Sequence, residues 1–101
     1  MKKIYIVGDI HTVSAFRLSG IKGIVCSREE APSRLEQLIE MGDAAIIVIT
    51  HELAENLQLR IADINLGMQP PAVIQIPGID DTLEFRSSVL DYIAEALGMH
   101  L

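Results

Sequence analysis

A chain of 101 residues, half of them apolar, has the size of one domain and can bury roughly two thirds of the surface its unfolded form exposes. Its formal net charge of −6 and eight scattered Lys and Arg residues lack the clustered cation that binding to a phosphate backbone requires, so no nucleic-acid partner is expected. With two Tyr, two Phe and no Trp, the core has to come from Ile, Leu, Val and Ala, which favours helices layered on a sheet.

The first apolar run, Ile4 to Val7, is mostly β-branched and reads as a strand buried on both faces. Its basic start is followed too soon by Asp9 for a secretory signal. Thr12 to Ser19 then reads as a short helix, begun by Asp9 or Thr12 and closed by Gly20 as a left-handed cap. Its inward residues would be Val13, Phe16 and the stem of Arg17.

Gly23 to Cys26 is a shorter strand candidate. Cys26 is the lone cysteine, so an internal disulfide is excluded and a structural, reduced thiol is expected. Ser27 with Glu30 forms a capping-box pattern, and Ala31, Leu35, Leu38 and Ile39 recur at helical spacing up to Gly42, with Pro32 tolerable only near the first turn.

Ala44 to Ile49 is the next strand. Leu53, Ala54, Leu57, Ile61 and Ile64 make a helical stripe with an interruption near Gln58, stopped by Gly67 and the Pro70–Pro71 pair. Ala72 to Ile76 is the last strand, and Asp80 or Asp81 would cap a final helix over Thr82 to Leu97. No apolar stretch approaches the roughly 20 residues of a membrane span.

Strands alternating with helices must run parallel with right-handed crossovers. The expectation is an α/β fold: a small three-layer, flavodoxin-like or Rossmann-like sandwich with a four-stranded parallel sheet. Residues 1–101 would form one domain, with the sandwich in 1–77 and a link and C-terminal helix in 78–101.

Open α/β sheets bind ligands at the carboxyl edge of their strands, where Gly8 to Thr12 falls. An anion could rest on that helix N-terminus, which keeps open a small phosphate- or nucleotide-binding domain; capping by Asp9 and Thr12 explains the same residues. A receiver domain would need an acceptor Asp after the third strand, where this chain has Thr50-His51-Glu52. His11 and His51 reach the same edge near Asp9 and Glu52, but without a close ligand pair no metal is expected. Neither Cys26 nor any Ser sits in a nucleophile elbow, so no catalytic residues and no cofactor are expected.

The final helix is the more informative element. At about 100° per residue its apolar residues cover roughly 200° of the circumference, about twice what packing on one sheet requires. Its polar arc of Glu84, Ser87, Ser88, Asp91 and Glu95 is correspondingly narrow. Such a helix is either deeply buried in its own domain or meets a partner.

Ile6-Val7-Gly8-Asp9 followed by Thr12-Val13 and Phe16-Arg17-Leu18-Ser19-Gly20-Ile21 resembles the opening of the F subunits of archaeal and vacuolar-type rotary ATPases. Ala45 to Thr50 and Pro71 to Pro77 are similar to that family's later strands, so the resemblance spans essentially the whole chain. Gly78-Ile79-Asp80-Asp81 in place of a Ser- or Gly-rich link, and Pro32, depart from its pattern. The resemblance implies a non-catalytic central-stalk component at the cytoplasmic side of a membrane-bound complex. Its sandwich would grip the D subunit, the coiled coil of the rotor, and its C-terminal helix would dock or extend toward the A and B subunits of the catalytic head. Of the signature residues, Phe16 and Leu18 would be core and Gly20 a cap, leaving Arg17 as the interface candidate. In the last helix, Phe85, Arg86, Val89, Tyr92, Ile93 and Ala96 form the aromatic and Arg set that interfaces favour.

Overall fold

The structure, a computed structural model, describes residues 2–78. The final helix expected over Thr82 to Leu97, and with it Phe85, Arg86, Val89, Tyr92, Ile93 and Ala96, lies outside the described residues. Four strands, β1 (Lys3–Gly8), β2 (Lys22–Val25), β3 (Ala44–Thr50) and β4 (Ala72–Ile76), form a parallel sheet in the order β2-β1-β3-β4. Helices α1 (Ile10–Arg17), α2 (Ala31–Met41), α3 (His51–Ala54) and α4 (Gln58–Leu66) supply the crossovers. This is the expected flavodoxin-like arrangement.

The two-residue period of the strands sorts the core into two halves. Ile6, Val48 and Ile76 face α1 and pack on Val13 and Phe16. Tyr5, Val7, Ile47, Ile49 and Val73 face the other way, against Leu35 and Leu38 of α2, Leu53 of α3 and Ile61 of α4. Each fully buried Leu or Ile contributes about 1.5–3 kcal/mol relative to an exposed one. Buried residues on both faces of β1 and β3 explain why those strands are unbroken apolar runs.

The helix ends follow local chemistry. Asp9 is the N-cap of α1, accepting hydrogen bonds from the N–H groups of His11 and Thr12 at 3.1 and 3.2 Å, so the helix begins earlier than Thr12. At its far end the Ile21 N–H bonds the Phe16 carbonyl and the Gly20 N–H the Arg17 carbonyl, while Gly20 takes φ 81°, as its position predicts. The Ser27–Glu30 box forms in both directions: Ser27 N–H donates to Glu30 Oε1 at 3.1 Å and Glu30 N–H to Ser27 Oγ at 3.3 Å. Pro32 falls in the first turn of α2, where no intrahelical N–H is lost.

Two expectations are corrected. Leu18 is not core but 83% exposed, because α1 ends at Arg17 and the chain turns away before Leu18 reaches the sheet. Arg17 is exposed, and its guanidinium reaches the edge of β2, where Nη2 donates to the Gly23 carbonyl at 3.4 Å. The stripe Leu53, Ala54, Leu57, Ile61 faces inward as expected, with a break at Glu55 to Leu57. α4 stops at Leu66 with Gly67 as its C-cap, as expected, and Met68 beyond it takes φ 53°.

Candidate functional site

β1 lies between β2 and β3, and its two neighbours are reached by crossovers running in opposite directions. The carboxyl ends of β1 and β3 therefore form the switch point where such sheets open a crevice. A cleft of about 440 Å³ lies there, lined by Asp9, Cys26, Arg28, Glu29, Thr50 and Glu52 among others.

The helix N-terminus at this cleft is already occupied. Asp9 holds the two N–H groups of α1, and its Oδ1 accepts the Thr12 hydroxyl at 2.6 Å. Partial burial would raise the Asp9 pKa, but these hydrogen bonds outweigh it and hold the carboxyl below its usual range, so Asp9 stays charged. The carboxylate fills the place an external phosphate would need, and Glu29 and Glu52 add negative charge to the rim. Arg28 is engaged by Glu55 at 3.1 Å. Gly8 adds no room: a Cβ there would meet Thr50 Cγ2 at 2.8 Å, so its glycine serves the contact between β1 and β3.

Nor does the cleft offer a nucleophile. Burial pushes the Cys26 thiol up and nearby Glu30 pushes it further, so the reactive thiolate is disfavoured. His11 and His51 both sit exposed at this edge. Among the described residues no three His, Cys, Asp or Glu side chains come together as a metal site, and no helix is long and apolar enough to cross a membrane.

The remaining surface carries an unexpected feature. On α4 the residues facing away from the sheet include Leu59, Ala62 and Leu66, with Leu59 89% and Leu66 79% exposed. Reading only the inward stripe of that helix hides them, although their i, i+3, i+7 spacing is itself visible in the sequence. Exposed Met68, at 92%, continues the patch beyond the helix end.

The described residues thus form a parallel α/β sandwich with Asp9 capping the helix N-terminus at the sheet-edge cleft and with apolar side chains of α4 displayed outward. A family model described as ATP synthase (F/14-kDa) subunit matches residues 4–93. The F subunit of the A-type ATP synthase of Methanocaldococcus jannaschii is 30% identical over 101 residues, covering 98% of each chain. That of Thermococcus kodakarensis is 32% identical over 106 residues, 98% of this chain and 97% of its own. The F subunit of the V-type ATP synthase of Clostridium botulinum (strain Eklund 17B / Type B) is 32% identical over 102 residues, 99% and 97%. The chain belongs to this family, the F subunits of A-type and V-type ATP synthases, as its opening signature implies.

Proposed function

We propose that this chain is a non-catalytic central-stalk component of a rotary ATP synthase, binding the coiled-coil D subunit of the rotor and coupling or regulating ATP turnover with proton or sodium transport. It sits at the cytoplasmic side of the membrane as a peripheral component. The carrying observation is likeness over nearly the whole chain to proteins named as F subunits of such synthases. In this reading Phe85, Arg86, Val89, Tyr92, Ile93 and Ala96 face partners, including the A and B subunits of the catalytic head, and Arg17 lies at the rotor contact. A two-sided helix over Thr82 to Leu97 would be the switching element, able to pack on its own sheet or on a neighbour.

The competing reading, a small phosphate- or nucleotide-binding domain, has the Asp9 carboxylate against it. Calorimetric titration of the full chain with the coiled-coil rotor protein of the same genome separates the two, with inorganic phosphate and ATP titrated in parallel. A stoichiometric complex supports the stalk role; anion binding without a complex overturns it. Val89→Asp with Ile93→Asp should weaken the complex more than it lowers the melting temperature, and equal loss of both would place that stripe in the core.

A further inference from the structure

The two edges of the sheet are closed by different means. At β4, Pro71 and Pro77 have no N–H to give, and Asn65 takes both backbone groups of Val73, the N–H at 2.8 Å and the carbonyl at 3.0 Å. β2 holds no proline, and a single rotatable side chain, that of Arg17, lies over its edge.

The hydrogen bonds of β2 say which of its groups point outward. The Cys26 N–H bonds the Gly8 carbonyl of β1, so in this parallel pair Lys22, Ile24 and Cys26 turn their backbone groups toward β1, and Gly23 and Val25 turn theirs away. The next N–H on either side is already engaged: that of Ile21 bonds the Phe16 carbonyl, and that of Ser27 bonds Glu30 Oε1. Of the outward groups on Gly23 and Val25, only the Gly23 carbonyl has a partner among the described residues, Arg17 Nη2 at 3.4 Å. The guanidinium covers more than that oxygen, because a Cβ on Gly23 would lie 3.5 Å from Arg17 Nε.

A strand joining this edge can therefore exchange bonds with Gly23 and Val25 and with nothing beyond them. A second copy of β2 carries the matching pattern. Laid antiparallel about a two-fold axis at Ile24, Gly23 of each copy meets Val25 of the other, giving four backbone hydrogen bonds. Registers centred on Gly23 or Val25 would need the N–H of Ile21 or Ser27, which have other partners. Lys22 falls opposite Cys26 of the second copy, so no like charges face each other. Val25, 44% exposed, would come against Gly23 of the second copy on the face shared with α1, the place that the Arg17 guanidinium holds.

We infer that β2 is a self-pairing edge held shut by Arg17, and that the occupant it excludes is β2 of a second copy. This gives Arg17 a role in the free chain, independent of the stalk reading above.

Sedimentation equilibrium of the full chain from micromolar to millimolar concentration tests it, on wild type, Arg17→Ala, Val25→Pro and the double variant. Arg17 is exposed, and proline is tolerated where an edge strand turns its N–H outward, so all four should keep the wild-type circular dichroism. Arg17→Ala should raise the association constant at least about tenfold, toward twice the monomer mass, and adding Val25→Pro should return it to within about twofold of wild type. Equal association of wild type and Arg17→Ala overturns the inference, as does association that survives Val25→Pro, which would place the contact on another face. Amide exchange gives an arm that needs no variant: in dilute wild type, Gly23 and Val25 should exchange faster than Ile24 and Cys26, whose N–H groups face β1. Protection of Val25 equal to that of Ile24 would mean that the edge is already covered, and would overturn the inference as well.

Discussion

The side-chain amide of Asn65 pairs with the backbone of Val73 much as a neighbouring strand would, one bond in each direction at 3.0 and 2.8 Å. In a parallel sheet ending at β4, this residue stands in for a fifth strand at one position. Asn65→Ala should cost about 1–2 kcal/mol, since two hydrogen bonds of ordinary net strength are lost. Urea unfolding monitored by circular dichroism gives the figure, and light scattering on storage should rise as the freed edge finds other chains. A variant as stable and as soluble as wild type would show that water replaces the amide fully.

Gly23 is the point where α1 presses hardest on the sheet. A Cβ there would collide with Val13 Cγ1 and come within 3.3 Å of Ile6 Cγ2, so Gly23→Ala should lose about 1–3 kcal/mol as the helix is pushed outward. Gly42 is the opposite case, with φ 73° and no atom within 4 Å of where a Cβ would sit. Gly42→Ala should cost about 1–2 kcal/mol through backbone strain alone. Gly23→Ala combined with Val13→Ala should cost less than the sum of the two single changes, whereas Gly42→Ala combined with Val13→Ala should cost their sum.

Asp9→Ala removes the cap of α1 and should cost about 0.5–2 kcal/mol, with Asp9→Asn losing less because an acceptor remains. The wild-type carboxyl has its folded pKa below its unfolded one, so its contribution is complete above about pH 4. It is lost as pH falls through the folded value. Glu30, held down first by the Ser27 N–H, and Glu36, held down first by Arg60, titrate in the same direction. Denaturation midpoints measured from pH 7 to pH 2 should fall only in the acid limb, and Asp9→Asn should make that limb shallower. An unchanged limb would mean Asp9 contributes no linkage.

Inorganic phosphate at millimolar concentration should leave the amide resonances of His11 and Thr12 unmoved, because Asp9 already holds those donors. Asp9→Ala frees them, and a small saturable shift at the same two amides is then expected. Wild-type shifts as large as those of the variant would reopen the sheet edge as a binding site.

The strands, their alternation with helices and the capping box of Ser27 and Glu30 are legible in the sequence, because each rests on contacts within a few residues. Gly20 is equally plain, its left-handed cap being local. Leu18 misleads because it is a large apolar residue two positions from buried Phe16, and nothing local reveals that α1 stops at Arg17. Asn65 gives no sign of being an edge cap, since its partner lies across a turn and is backbone. Gly67 is legible as the stop for α4, whereas the positive φ of Met68 beyond it is not. At the sheet edge, the rival claims of cap and anion are visible in the residues but their winner is not; that needs the position of one carboxylate.

The placement of β1 between β2 and β3 bears on how the molecule comes into being. Ile6 is sealed by Val48 and Ile76, which follow it much later in the chain. No early fragment owns a complete core: β1, α1 and β2 together still leave Ile6 and Val13 waiting for strands not yet synthesised. A nascent chain on the ribosome therefore gains little protection until β3 has emerged, and commitment to the native state comes late and all at once.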